Sequence, residues 1–395
     1  MSVEPHNAET GAQLVSARPS LRVCIIQPVL KKYRVAFFLA LQGELARRGI
    51  DLVVVYGKPW PDELARGDNA ELAAPLGTRV ANWRLFDALL IQPTILPWLR
   101  ADLLIVEHAN KHALNYLFTV LRSLRIKRLA YWGHGRDYQA TDTGLQQLIK
   151  AWTLKHADWW FAYNQEAAAY VSARGFPRER ITAVGNSVDT TELKAQLASV
   201  TPEEQRTTVE AMGWLASDRI LVACGSVYLG KGIEELIEAS DLMHALQADI
   251  RLLVIGGGPG LERARELASS RPWVRCVGPR FGRDKAVLLS RAELWLNPGL
   301  IGLGVLDAFC AALPVITRAE GMRSPEATYV EDGINGSIVA GDMRCYVEAV
   351  VDILRDRSRL LRLQDGARAN AKAYSIESMA TNFADGIVAC LECRR

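Results

Sequence analysis

RILVACGSVYLGKGIEELI, running from Arg219 to Ile237, is the stretch that decides how this chain folds. Its first six residues are an apolar run of strand type, and its last five place Ile233, Leu236 and Ile237 on one face of a helix. Between them Gly225, Gly230 and Gly232 make the turn. A strand that ends in a glycine turn and opens a helix is one βα unit. Such a unit presents the unbonded N–H groups of the first helical turn, here together with Lys231, to an anion. The spacing also follows the phosphate-loop pattern GxxxxGK[ST] at all but the last position, where Gly232 replaces the magnesium-holding hydroxyl. The stretch therefore reads either as a phosphate site or as a structural turn with a surface lysine.

Outward from this unit, short apolar runs alternate with helix-period segments along most of the 395 residues. Upstream the pattern predicts strands at 23–27, 52–56, 102–106, 129–132, 158–162 and 180–184, with a helix over 34–48 after the first. Downstream it predicts strands at 250–255, 273–277, 293–297 and 314–317, separated by helices. Alternation of this kind builds βαβ units and parallel sheets. From Glu192 to Ser217 the sequence is polar and helical with no strand, which marks a boundary. The predicted organisation is a disordered tail at 1–20, a Rossmann-like domain at 21–190, a linker at 191–217, a second Rossmann-like domain at 218–375, and a last helix at 376–395 packing back on the first domain. The fold class is α/β, two doubly wound parallel-sheet domains facing a central cleft, with ligands expected at the carboxyl ends of the strands.

Composition narrows the function. Lys and Arg number 47 against 44 Asp and Glu, and a net charge of +3 gives the whole molecule no attraction for nucleic acid. Seven dispersed cysteines fit a reducing cytoplasm. Cys390 and Cys393 form a CxxC with no second ligand pair, so no metal site is predicted. No window reaches the roughly 18 consecutive apolar residues of a membrane span, and the first twenty residues lack the apolar core of a signal peptide. The expected location is cytoplasmic. The stretch LRSLRIKR, Leu121 to Arg128, interleaves basic and apolar residues and suits either the inner face of a membrane or a solvated helix face.

Further glycine turns follow other predicted strands. Gly256-Gly257-Gly258-Pro259-Gly260 allows close backbone approach, to a ligand or simply within a tight turn. NPGLIGLGVLDAF, Asn297 to Phe309, runs from a strand end through Gly302 and Leu303 into a helix. Asp307 in that helix is placed to accept hydrogen bonds from a ribose diol, or to favour the helix dipole. Arg280 follows a strand near where a base would lie, and Glu326 is placed to offer a carboxylate to a sugar. In the first domain WGHGRD, Trp132 to Asp137, sets His134 between two glycines at a strand end, where it can exchange a proton near neutral pH or act as a buried structural residue. Lys31-Lys32-Tyr33-Arg34 after the first strand presents polar groups to the cleft or forms a solvated turn.

Taken in order, these segments resemble the family 4 glycosyltransferases of GT-B fold and cell-envelope or exopolysaccharide type, from about Arg22 to Glu377. The likeness is carried by Gln27-Pro28 with Tyr33-Arg34, WGHGRD at 132–137, VGNSVD at 184–189, Lys231-Gly232, Gly256 to Pro259, Gly302 to Pro314, and Ser324-Pro325-Glu326 followed by EDGING at 331–336. The resemblance implies retaining transfer of a sugar from a UDP- or GDP-linked donor, bound mainly by the second domain, to a glycan or polyprenol-linked acceptor. It implies no essential metal or other cofactor, no nucleic acid, and peripheral contact with the inner face of the cytoplasmic membrane. It also implies His134 near the reacting sugar and Lys231 on the diphosphate as the catalytic residues. Ser226, Gly258, Pro259, Arg280, Gly302, Leu303, Asp307 and Glu326 are then expected around the donor, and Tyr33, Arg34, Arg136 and Asn186 on the acceptor side or cleft. Three positions depart from the family pattern: Gly299 and Asp307 stand at the two glutamates of its E-x7-E motif, and Ser226 at an arginine. Two other readings stand beside it. A P-loop-like nucleotide phosphotransferase is favoured by the GxxxxGK match and disfavoured by Gly232, and a catalytically degenerate GT-B partner subunit is favoured by the three departures.

Overall fold

The computed structural model describes residues 21–393 apart from 65–67, 86–88, 94–95, 110–111, 136–143 and 320–323. The expected tail at 1–20 and Arg136 lie outside the described residues. In chain order the first lobe contains β1 (Leu21–Val29), β2 (Ile50–Gly57), β3 (Gly77–Val80), β4 (Trp83–Leu85), β5 (Leu89–Ile91), β6 (Leu103–Glu107), β7 (Arg128–Gly133), β8 (Trp159–Ala162) and β9 (Ile181–Ala183). β4 and β5 form a separate antiparallel hairpin, and the other seven form one parallel sheet ordered β3-β2-β1-β6-β7-β8-β9. The second lobe is a parallel sheet of β10 (Arg219–Cys224), β11 (Ile250–Ile255), β12 (Val274–Gly278), β13 (Ala292–Asn297), β14 (Val315–Arg318) and β15 (Gly336–Val339), ordered β12-β11-β10-β13-β14-β15.

The order reverses between β1 and β6 in one sheet and between β10 and β13 in the other. At such a point successive crossovers leave toward opposite faces, which opens a crevice beyond the strand ends. The apolar runs that predicted the strands are buried because helices cover both faces: Val23 to Ile26 of β1 and Ile220 to Ala223 of β10 are almost fully enclosed. The strands β3 and β15 and the β4–β5 hairpin have no counterpart in the sequence periodicity. They are only three or four residues long, and β3 carries no buried side chain, so their placement comes from pairing with a longer neighbour, such as Val54 opposite Gly77.

Helix positions follow from local chemistry. Phe37, Phe38, Leu41 and Leu45 form the buried stripe of the helix Lys32–Ala46, and Gly49 with φ +71° lets the chain leave it for β2. Between the lobes Thr201 and Glu204 form a reciprocal capping box with Pro202 in the first turn of the helix Pro202–Ala211. The basic stretch at 121–128 is largely engaged inside the first lobe. Arg122 pairs with Asp158 at 3.1 Å, Lys127 Nζ donates to the Ala101 carbonyl at 2.6 Å, and Arg128 donates to the Cys390 and Cys393 carbonyls. Exposed here are Ser123, Leu124, Arg125 and Ile126, and on the preceding helix Leu117 and Val120.

The last helix, Ile376–Glu392, capped by Ser375, crosses back to the first lobe. Met379, Phe383, Ile387 and Cys390 share one buried cluster with Phe37, Leu41 and Phe161. The Phe383 ring stacks on Phe161 at 4.1 Å and meets Trp132 edge-on at 5.1 Å, so this helix braces the end of β7 that precedes His134. Gly386 permits the approach, since a Cβ there would stand 2.5 Å from Thr182 Oγ1. Truncating Phe383→Ala is expected to destabilise the protein by about 3–5 kcal/mol. Urea denaturation followed by tryptophan fluorescence measures this, and a loss below about 1 kcal/mol would mean that the helix is not a structural brace.

Candidate functional site

The carboxyl ends of β10 and β13 carry two glycine loops that interlock. After Cys224 the chain passes through Gly225 (φ +137°) and the single turn Leu229–Lys231, and enters the helix Ile233–Leu246 at Gly232, whose φ of +68° is left-handed. Gly232 brings no side-chain cap, so the first N–H groups of that helix point out of its amino end without a side-chain acceptor at the cap. The Lys231 ammonium donates to the Leu300 carbonyl at 2.5 Å, and the Leu300 N–H donates to the Gly230 carbonyl at 2.9 Å. Gly302 lies under the same ammonium, 3.8 Å from where its Cβ would stand. Burial pushes the Lys231 pKa below its ordinary 10.5, with Glu326 acting in the opposite direction.

Gly256 and Gly258 serve the neighbouring loop. A Cβ on either would stand 1.7 Å from the Gly225 carbonyl oxygen or 2.4 Å from that of Val227. Pro259 and Ser226 are exposed at the mouth of these turns. Leu303 caps the helix Gly304–Cys310, and Asp307 in its first turn is held by Lys285 Nζ at 2.6 Å. Arg280 takes a different position from the rest. It lines a hollow of about 530 Å³ between the helices Pro202–Ala211 and Gly282–Ser290, whose walls include none of the residues above.

The first lobe contributes a buried cation. Arg34 is only 5% exposed, and its guanidinium donates to Asn186 Oδ1 at 2.9 Å and to the Tyr163 hydroxyl at 3.2 Å. It lies 4.3 Å from the Trp132 ring and 4.9 Å from that of the half-exposed Tyr33. His134, just beyond β7, packs edge-on against Tyr163 with 4.2 Å between ring centres. Three hydrogen bonds then cross to the segment 324–330 of the second lobe. Asn164 donates to the Pro325 carbonyl and to Thr328, and Tyr329 donates to the Asn186 carbonyl at 2.7 Å.

These crossings seat Glu326 in the cleft. Burial raises its pKa above the ordinary 4.5, its own backbone N–H opposes the rise, and Lys231 and Arg34 act in the same opposing sense. Among the described residues its carboxylate makes no ion pair, although two cations act on it. A lysine on a helix-opening turn, a half-buried carboxylate and a buried guanidinium thus face one space from two lobes. That arrangement suits a ligand with an anionic part and a hydroxylated part.

Comparison with known proteins agrees with this geometry. A model described as "Glycosyltransferase Family 4" matches residues 36–192, and one described as "Glycosyl transferases group 1" matches residues 218–356. The chain belongs to the family 4 glycosyltransferases. EpsD of Bacillus subtilis is 25% identical over 250 residues, covering 60% of this chain and 62% of its own. A GDP-mannose-dependent alpha-(1-6)-phosphatidylinositol dimannoside mannosyltransferase of Mycobacterium tuberculosis is 28% identical over 219 residues, covering 50% and 56%. The chain thus spans about half to three-fifths of the length of these curated relatives. Among solved structures, Anabaena Alr3699/HepE in complex with UDP superposes with a TM-score of 0.67 at 13% identity, over 93% of this chain and 100% of the other, which establishes the GT-B fold.

Within this chain the departure at 299 has a steric cause. A Cβ on Gly299 would stand 2.5 Å from the Gly230 oxygen and 2.6 and 2.7 Å from the Lys231 carbonyl carbon and oxygen. All three are backbone atoms, so no rotamer change relieves the contact. The turn that delivers Lys231 fills the place a glutamate side chain would leave from, and Glu326 is the carboxylate beside Lys231 instead. The sequence quoted Glu326 only by position, and it missed Tyr163 and Lys285. Tyr163 had a usable signal, a phenol one residue past a buried strand, whereas Lys285 looks like any helix lysine. Gly299→Glu is expected to destabilise the protein by about 1–3 kcal/mol or more and to yield no gain in activity. A thermal midpoint equal to wild type would show that the turn gives way.

Proposed function

We propose that this glycosyltransferase moves a sugar, with retention and without an essential metal, from a UDP- or GDP-linked donor to a glycan or lipid-linked acceptor of the cell envelope. The observation that carries the reading is the convergence of Lys231, Glu326 and Arg34 on one cleft at the switch points of both sheets. Support for the donor class comes from relatives whose names specify GDP-mannose and from the UDP complex of a structural neighbour.

In such a transfer the bond between the anomeric carbon and a diphosphate oxygen breaks, and a bond from that carbon to an acceptor oxygen forms. Charge therefore grows on the diphosphate. Lys231 and the uncapped N–H groups after Gly232 are fixed donors aimed at that charge, which in a cleft shielded from water are worth far more than in solution. Retention requires the acceptor to enter on the face the diphosphate leaves. Glu326 accepts from hydroxyls of the transferred sugar, Asp307 from the ribose with the carboxylate oxygen not committed to Lys285, and His134 exchanges a proton on the first-lobe side. Metal independence rests on the cationic groups already supplied by the chain.

Contact with a membrane surface is part of the same reading, since a lipid-linked acceptor is presented there. No helix among the described residues is long and apolar enough to span a membrane. The exposed Leu117, Val120, Leu124 and Ile126 supply an apolar face suited to peripheral contact at the cytoplasmic side.

The test is incubation with a panel of UDP- and GDP-sugars and lipid-linked or glycan acceptors in the presence of a chelator, with the anomeric configuration of the product read by NMR. The expected product keeps the donor configuration, and Lys231→Ala lowers turnover by at least about 100-fold while leaving the thermal midpoint close to wild type. An inverted product, or full loss of turnover in chelator, refutes the retaining, metal-independent reading. Donor affinity also depends on pH. The lowered Lys231 pKa means the ammonium is lost at a lower pH than for an ordinary lysine, and an anion binds the protonated form better. Affinity measured by calorimetry is expected to fall as pH rises toward 10.5, and to fall less in Lys231→Arg, which stays charged.

A further inference from the structure

A diphosphate that joins a sugar to a nucleoside carries two negative charges, and in the second lobe the transfer described above uses one cation, Lys231. Ser226 on the adjacent turn is exposed and offers a hydroxyl without charge. A second cation stands at the same strand end. Lys285 leaves the helix Gly282–Ser290 and meets Asp307 of the helix Gly304–Cys310, with Nζ and Oδ2 2.6 Å apart. The two side chains are 20% and 21% exposed, so the pair is neither sealed in the core nor spread on the open surface.

Cys224 locates the pair relative to Lys231. It is the last residue of β10, at the switch point between β10 and β13. Burial raises its thiol pKa to about 11, and Lys285, Asp307 and Lys231 all act on that one sulfur, the two lysines against the rise and Asp307 with it. The helix that carries Asp307 starts there as well, since a Cβ on Gly304 would stand 3.8 Å from the Cys224 carbonyl oxygen, so both ammonium groups are near the carboxyl end of one strand. Burial works against the charge on Lys285, but the neighbouring Asp307 outweighs it and the ammonium is retained above the ordinary lysine range. A half-buried ion pair is weak as a stabilising device, because desolvation offsets most of the attraction. A fixed ammonium at the mouth of a nucleotide crevice is better suited to an anion, since two of its three N–H donors remain after the bond to Asp307.

We propose that Lys285 is a donor-binding residue, its ammonium positioned by Asp307 to give the diphosphate of the nucleotide donor its second positive charge. The proposal rests on the nucleotide-sugar reading of the cleft and adds a contact that the sequence does not reveal. Calorimetric titration of the full chain with UDP and GDP, and with uridine and guanosine, tests it in wild type, Lys285→Gln and Lys285→Arg. Lys285→Gln is expected to weaken the preferred nucleoside diphosphate by about 10- to 100-fold and to leave nucleoside binding unchanged. Lys285→Arg retains most of the affinity. Ser226→Arg in the Lys285→Gln background recovers much of the loss by placing a cation on the neighbouring turn. Should Lys285→Gln misfold because Asp307 is left unpaired, the Lys285→Gln, Asp307→Asn double variant is titrated in its place; because Asp307 is also placed on the ribose, nucleoside affinity falls as well, and the assignment then requires the nucleoside diphosphate to lose about 10- to 100-fold more than the nucleoside. Equal losses for nucleoside and nucleoside diphosphate, or an unchanged nucleoside diphosphate affinity, overturn the assignment alone. Absence of nucleoside diphosphate binding in wild type overturns the reading of the cleft and the assignment with it.

Discussion

The bond from the Lys231 ammonium to the Leu300 carbonyl fixes the working end of this molecule. A lysine side chain has four rotatable carbons and little reason to hold still, so an amine that must meet a diphosphate needs an anchor. The anchor here is a backbone carbonyl of the neighbouring loop, and the loops lie close enough for it only because both are built of glycine at the contact. Gly299 faces the Lys231 peptide at a distance that excludes any Cβ, and Gly232 turns the chain through a left-handed conformation. The same packing removes the position from which a glutamate would reach the donor. The carboxylate beside Lys231 comes instead from Glu326, on a different loop.

Glu326 connects that anchor to the first lobe. Its loop is held by hydrogen bonds to Asn164 and Asn186, and Asn186 in turn accepts from Arg34. The charge arrangement in the cleft is consequently a property of two lobes together: Lys231 and Glu326 come from the second lobe and Arg34 from the first. Lobe closure and the charge seen by a ligand are then linked, because parting the lobes moves Arg34 away from Glu326 and leaves Lys231, of the two described cations that act on it, in place. The last helix limits such movement. It follows directly on the second-lobe helix Arg357–Ala373, and from Ile376 onward it is packed into the aromatic core of the first lobe, where Phe383 lies on Phe161.

The departures from the family pattern follow from this arrangement. Loss of a glutamate at 299, shortening of the acid at 307 and loss of charge at 226 read, one at a time, like decay of a binding site. In the folded protein the first two each have a neighbour that accounts for them. The 230–231 peptide occupies the space at 299, and Lys285 reaches the shorter Asp307. A degenerate scaffold has no need for a buried guanidinium, a half-buried carboxylate and an anchored lysine to face one another.

Alternation of apolar runs with helix-period segments was enough to read two parallel-sheet lobes from the amino-acid order. Burial on both faces forces long apolar strands, and one-sided burial forces a 3.6-residue stripe, whatever the rest of the chain does. The glycine turns and Lys231 were legible for a similar reason, since left-handed or closely approached backbone admits glycine and little else. Tertiary structure decided the remainder. The short strands β3 and β15 depend on a partner's register, the cations at 122, 127 and 128 are turned inward by acceptors far away in sequence, and Arg280 is directed to a separate hollow. The meeting of Glu326, Arg34 and Tyr163, and of Lys285 with Asp307, joins residues up to some three hundred positions apart. Local propensity acts over a few residues, whereas a contact between distant side chains exists only once both sheets have been packed.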